Sequence, residues 1–172
     1  MKKLTHLVLL LLVTNIGLAQ NPQINPIPQP VEIQQLTGNF TLTKATSIGY
    51  NKAEAKTVAE MLARHLNTPT GFGLTAKEGK AAAIYLNLNA APNDHIGKEG
   101  YTLEATPKSV TITANQPAGL FYGMQTLLQL FPKEIESQTA VKANWTVPAV
   151  RITDYPRFGW RGVMLDVARH FF

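Results

Sequence analysis

The sequence of 172 residues contains no cysteine. A chain without thiols draws no stability from disulfides, so a packed apolar core must hold the fold. Attachment to lipid through a lipoprotein cysteine is excluded for the same reason. Histidine is sparse: His6, His65, His95 and His170 lie far apart, with no metal-ligand spacing among them. Charge is equally unconcentrated. Lys and Arg number 16 against 11 acidic residues, for a formal net charge of +5, and no basic run forms a stripe that would follow a nucleic acid backbone. No internal repeat is present. Gly71-Phe72-Gly73 lacks the strand-before, helix-after setting of a phosphate loop and reads as a turn. Ser109 and Ser137 have no base at a motif spacing.

The amino terminus carries an export signature. Lys2 and Lys3 form a positive region, Leu7 to Val13 an unbroken apolar run, and Gly17-Leu18-Ala19 a small-residue cleavage site. The apolar run is too short to span a bilayer, so residues 1–19 are expected to be a signal peptide, cut before Gln20. The mature protein would then be exported, periplasmic or extracellular, with no membrane association. Loss of Lys2 and Lys3 leaves 14 basic against 11 acidic residues, a net charge of +3. The remaining chain of about 150 residues suffices for one core.

Residues 20–30 are a proline-rich lead-in, with four prolines between Asn21 and Pro30, and are expected to be extended. Weak alternation predicts short strands over Phe40–Thr43 and Ser47–Tyr50. Asn51 is a candidate cap for a helix with Val58, Met61, Leu62 and Leu66 on one face, expected to end before Asn67-Thr68-Pro69. Ala82–Leu88 reads as a strand and Ala90–Gly100 as a polar loop. Tyr101–Ala105 and Val110–Ala114 alternate with period two around Thr106-Pro107-Lys108-Ser109 and predict a hairpin. Pro117 opens a second helix, with Leu120, Met124, Leu127, Leu128 and Phe131 as its stripe, and Pro132 stops it. A polar connector follows, then a strand over Val147–Ile152. The element order predicts an α/β (α+β) sandwich, a small mixed sheet with two helices on one face, because neither helix could otherwise bury its stripe.

Few residues in this stretch suggest chemistry. Glu134 and Glu136 lie on the connector and read as solvated, and Asp94-His95 lacks a third member. His65 beside Arg64 reads as an exposed helix position. Phe121, Tyr122 and Trp145 could stack on a sugar, but core packing suits Phe121 better and packing at a domain junction suits Trp145 better. Asn39-Phe40-Thr41 and Asn144-Trp145-Thr146 have the form of glycosylation acceptors.

The last eighteen residues, YPRFGWRGVMLDVARHFF from Tyr155 to Phe172, are the most informative. Trp160 to Val167 reads as a buried strand, led by Arg161 and interrupted by Asp166. A guanidinium is a planar fork of donors, charged at any working pH, and can hold two adjacent hydroxyls at once. Taken alone, Arg161 fits a structural ion pair with Asp166 or another carboxylate better than a substrate contact. Asp166 and Arg169 are three apart and can pair with each other, while His170 fits packing or orientation of a neighbour.

This string resembles the opening strand of the catalytic barrel of family 20 glycoside hydrolases, the β-N-acetylhexosaminidases. Pro117 to Pro132 (PAGLFYGMQTLLQLFP) resembles the helix closing the accessory domain ahead of that barrel, so the likeness runs from about Ile24 to Phe172. The resemblance implies an accessory domain over residues 31–152 and the start of a (β/α)8 barrel over 153–172, with the remainder of the barrel outside this chain. It implies that Arg161 binds O3 and O4 of a terminal N-acetylhexosamine, with Asp166, Arg169 and His170 as structural support near the site. It also implies an N-acetylhexosamine-terminated glycan as partner, no cofactor and no metal. In such enzymes the substrate's 2-acetamido oxygen attacks the anomeric carbon, assisted by an adjacent Asp-Glu pair within a His-x-Gly-Gly-Asp-Glu type motif. That pair is absent from these 172 residues, so the chain by itself is expected to be inactive. A non-catalytic carbohydrate-binding or scaffold module is the alternative.

Overall fold

In the computed structural model, which describes residues 24–165, seven strands and two helices follow in order. They are β1 (Glu32–Thr41), β2 (Ile48–Tyr50), α1 (Lys56–Thr70), β3 (Ala76–Glu78), β4 (Ile84–Leu88), β5 (Tyr101–Ala105), β6 (Val110–Ala114), α2 (Pro117–Leu130) and β7 (Thr146–Asp154). Single 3₁₀ turns precede α1 (Ala53–Ala55) and follow α2 (Lys133–Glu136).

The strands form one mixed sheet in the order β1-β7-β5-β6-β4-β2-β3. β3, β2, β4 and β6 run parallel to one another, and β5, β7 and β1 complete the sheet through antiparallel pairings. In β4, β5 and β6 every second residue is buried. Register carries this alternation across the sheet: Tyr50, Leu86, Ile112, Leu103 and Ile152 form one inward row, and Ile48, Ile84, Val110, Ala105 and Val150 another. Onto these rows α1 brings Val58, Leu62 and Leu66, and α2 brings Leu120, Met124 and Leu127, all buried. The sandwich expected from the element order is the one observed.

Glycine sets how closely α2 approaches. A Cβ on Gly119 would run into the carbonyl oxygen of Gly100 and approach Ala114 Cβ to 2.8 Å. A Cβ on Gly123 would meet Ile112 Cγ2 at 2.5 Å and the Tyr101 ring at 3.0 Å. The helix therefore lies almost backbone-to-sheet over β5 and β6.

Several local expectations are corrected. The first strand is ten residues long, because β1 pairs with β7 on the sheet's edge, where its polar residues need no alternation. Asn51 caps no helix. Its Oδ1 accepts from Leu88 N–H and its Nδ2 donates to Leu88 O and Asn87 Oδ1, joining the ends of β2 and β4. α1 continues through Pro69 to Thr70. Proline removes one N–H, but substitutes hold the last turn: Thr70 Oγ1 donates to Leu66 O at 2.6 Å, and Gly71, at φ 66°, donates its N–H to Asn67 O. Strand β3 went unforeseen, being three half-exposed residues at an edge. Trp145 is buried in the core of the sandwich, its carbonyl accepting from Leu42 N–H.

Replacing Gly119 by Ala tests the close seating. At an exposed helix position this change gains about 0.5–1 kcal/mol; here it is expected to destabilise by about 1–3 kcal/mol through overpacking. Urea unfolding of the chain measures it, and a raised midpoint would show that the approach does not require glycine.

Candidate functional site

At the end of the sheet where β5 begins and β7 finishes, Tyr101 and Asp154 are register partners. Tyr101 is only 2% exposed, its ring pressed under Gly123 of α2. Its hydroxyl lies 2.6 Å from Thr126 Oγ1 and donates to Asp154 Oδ2 at 3.4 Å. Thr126 is then the donor to Tyr101, and Asp154 Oδ1 accepts the Val31 N–H at 3.2 Å. Burial pushes the Tyr101 pKa up to about 12; the bond to Thr126 opposes this, and the neighbouring Asp154 carboxylate adds to it. One helix residue, two strand ends and the lead-in thus meet at one point.

The lead-in is tied down beside this cluster. Ile27 N–H donates to Gln129 Oε1, and Gln129 Nε2 donates back to Ile27 O, at 2.8 and 2.9 Å. Between lead-in, α2 and the segment after β7 opens a groove of about 580 Å³, lined by Gln29, Tyr122, Gln125, Gln129, Asp154, Arg157 and Arg161 among others. Amide, hydroxyl and guanidinium groups dominate its polar lining, a donor and acceptor set suited to a hydroxyl-rich ligand. A second groove of about 550 Å³ adjoins it across Glu99, with His95 packed edge-on to Tyr155 at 5.4 Å between ring centroids.

Arg161 stands at the rim of the larger groove. Its Nη2 donates to Glu99 Oε2 at 2.7 Å and its Nη1 to Phe158 O at 2.9 Å. The Glu99 carboxylate, helped by Tyr122, raises the guanidinium's pKa above its ordinary value. The carboxylate partner in this structure is therefore Glu99, 62 residues upstream, a pairing that no spacing in the sequence could reveal. Asp166, Arg169 and His170 lie outside the described residues.

The expected strand beginning at Trp160 forms no ladder over residues 160–165, and Trp160, Val163, Met164 and Leu165 are at least 80% exposed. A strand exists through its neighbours, and none of the described strands pairs with this segment. Of the residues set aside, Asp94, His95, His65 and Glu136 are exposed, whereas Glu134, read as solvated, is half-buried on the 3₁₀ turn beside the buried Ile135. Among the described residues no group of three or more His, Cys, Asp or Glu side chains is arranged to hold a metal. The Tyr101–Thr126–Asp154 cluster escaped the sequence reading, although Thr126 left a trace as the polar residue within an apolar stripe.

A family model described as "Glycosyl hydrolase family 20, domain 2" matches residues 23–155. A β-hexosaminidase of Porphyromonas gingivalis is 40% identical over 151 residues, which cover 86% of this chain and 19% of that protein. A β-N-acetylhexosaminidase of Cellulomonas fimi is 33% identical, covering 88% and 30%. Among solved structures, the Streptomyces plicatus N-acetyl-β-hexosaminidase in complex with Thio-NAglucal superposes with a TM-score of 0.79 at 39% identity, covering 88% of this chain and 30% of that one. The chain spans between about a fifth and a third of the length of these relatives.

The Tyr101 hydroxyl yields a pH test. Its folded pKa, about 12, lies above the usual value near 10, so the folded state keeps the proton that the unfolded chain releases. Its contribution is complete below pH ~10 and is lost as pH rises toward 12. Tyr101→Phe should lower stability by about 1–3 kcal/mol at neutral pH, leaving Thr126 and Asp154 without their partner. It should also flatten the decline between pH 10 and 12 in urea midpoints. A decline identical to that of the unaltered chain would remove Tyr101 from this role.

Proposed function

The chain belongs to glycosyl hydrolase family 20, and from that premise we propose that it is the amino-proximal part of an exported β-N-acetylhexosaminidase. The longer enzyme removes terminal, non-reducing β-linked N-acetylglucosamine or N-acetylgalactosamine from glycans. The observation that carries this reading is the likeness, over 86–88% of this chain, to proteins bearing that activity in their names.

The proposed chemistry is retaining and substrate-assisted. The acetamido carbonyl oxygen of the substrate attacks the anomeric carbon while a carboxylic acid protonates the departing glycosidic oxygen. Water then opens the oxazolinium ring from the opposite side, restoring the acetamido group with the original anomeric configuration. The Asp-Glu pair that polarises the acetamido group and supplies the proton is not in these 172 residues. We assign it to the rest of the enzyme, and this chain alone to an inactive, structural part.

Arg161 is the substrate-binding residue of this portion. Its bonds to Glu99 and Phe158 leave further N–H groups of the fork for O3 and O4 of the terminal sugar. Glu99 would restrain the guanidinium so that less side-chain freedom is lost on binding. Asp166, Arg169 and His170 would support the surroundings.

In the complete enzyme, Arg161→Lys is expected to weaken transition-state binding by about 1.5–3 kcal/mol, the usual worth of hydrogen bonds to charged groups. Steady-state kinetics on an aryl β-N-acetylglucosaminide reads this as a loss in kcat/KM of roughly ten- to a hundred-fold. Unchanged kcat/KM would remove the sugar contact. The 172-residue chain should show no turnover on the same substrate. Mass spectrometry of the exported protein should find Gln20 at its amino terminus.

A further inference from the structure

The sheet has a second face, and no described helix covers it. Because partners in register point to the same side, this face carries one continuous row: Lys77, Gly49, Tyr85, Thr111, Glu104 and Arg151. A parallel row brings Asn87, Thr113, Thr102 and Thr153 together. Apart from Lys77, Gly49 and the Arg151–Glu104 ion pair, the residues named present hydroxyls, one amide and one aromatic ring, and on β1 the rows continue to Gln34 and Glu32. They contain no aliphatic side chain that would suit a protein partner's core.

The β3 end of the row opens into a pocket of about 510 Å³. Lys44, Lys77 and Lys80 line it, and Glu78 is the one carboxylate residue among its walls. All three lysines are exposed, and none forms an ion pair among the described residues. At Gly49 the wall is closely packed. A Cβ at Gly49 would collide with the Gly79 carbonyl at 2.5 Å and with Ala82 Cβ at 2.7 Å. Gly49 thus lets the Gly79–Ala82 loop, which bears Lys80, fold down over the sheet. The Tyr85 ring lies against the same point, and its hydroxyl is buried without a partner in the described structure. Burial raises its pKa.

We propose that this face is a second carbohydrate-binding surface, separate from the Arg161 groove. It takes an anionic glycan, a hydroxyl-rich chain whose sulfate or carboxylate groups enter the lysine pocket while its sugar hydroxyls lie along the threonine rows. Three exposed lysines lining one cavity attract a localised anion, and the hydroxyl and amide rows match sugar hydroxyls as both donors and acceptors. The glycan nature of the occupant rests on the hydrolase reading above; the anion preference rests on the pocket alone. Such a surface would keep the enzyme on a charged polymer while the catalytic site trims its ends.

The test uses the complete enzyme, with calorimetric binding at low salt of a sulfated oligosaccharide, a carboxylated one of equal length, a neutral one, and inorganic sulfate. Binding of either anionic oligosaccharide, weaker with rising salt and absent for the neutral chain, is expected; the stronger of the two identifies the anion. The Lys44→Gln, Lys77→Gln, Lys80→Gln triple variant should bind about tenfold more weakly, each exposed charge contributing modestly. A control triple variant, Lys108→Gln, Lys133→Gln, Lys142→Gln, removes the same charge elsewhere and should bind as before. Equal losses in both variants would reduce the effect to bulk charge and overturn the site, as would binding of inorganic sulfate without either oligosaccharide. Hydrolysis of a small neutral β-N-acetylglucosaminide should be unchanged in both variants. Hydrolysis without anionic glycan binding would sink this surface and leave the hydrolase reading standing. Anionic glycan binding without hydrolysis would do the reverse.

Discussion

The fold depends on how closely α2 can lie on the sheet. Two glycines one helical turn apart, Gly119 and Gly123, face Gly100, Ala114, Ile112 and Tyr101 with no room for even a methyl group. That contact lets Leu120, Met124 and Leu127 reach full burial between the same rows that α1 covers further along the sheet. Apolar burial is roughly proportional to area removed from water, so a helix held one methyl further out would leave a dry gap along its whole stripe. With no cysteine in the chain, no covalent tie substitutes for this packing.

The same seating creates the polar junction. Tyr101 can place its hydroxyl between Thr126 and Asp154 because Gly123 lets the helix descend onto its ring. Asp154 in turn accepts from Val31, and Gln129 holds Ile27 from the next turn of the helix. The lead-in, the end of β7 and the exit toward Arg161 are thus all referred to one helix. A buried polar cluster is stabilising when its members are satisfied and costly when one is removed. Here that cost fixes where the chain leaves the end of β7, and so where the segment carrying Arg161 begins.

The two faces of the sheet divide the labour. One is apolar and covered by both helices. The other is lined with threonine, asparagine and one ion pair, and it meets water. Antiparallel and mixed sheets tolerate one wetted face because alternate side chains point away from the core. Nothing in the packing of the covered face constrains what the open face carries, which leaves it available for recognition.

Local periodicity determined much of this protein from the sequence alone. The hairpin over Tyr101–Ala114, the helix opening at Pro117 and the stripe Val58-Leu62-Leu66 follow from spacing of apolar residues, because burial on one face imposes that spacing. The family was equally legible, since Arg161 and its neighbours stand in a specific string. Tertiary structure decided the rest. β1 ran longer and β3 escaped notice because edge strands owe their existence to a partner's backbone and need no pattern of their own. Pro69 stayed helical because Thr70 and Gly71 hold the last turn. The pairing of Arg161 with Glu99, the union of Tyr101, Thr126 and Asp154, and the meeting of Lys44, Lys77 and Lys80 join residues from separate elements. Such meetings depend on which strand lies beside which, and sheet order is a property of the packed whole that no short window of sequence contains.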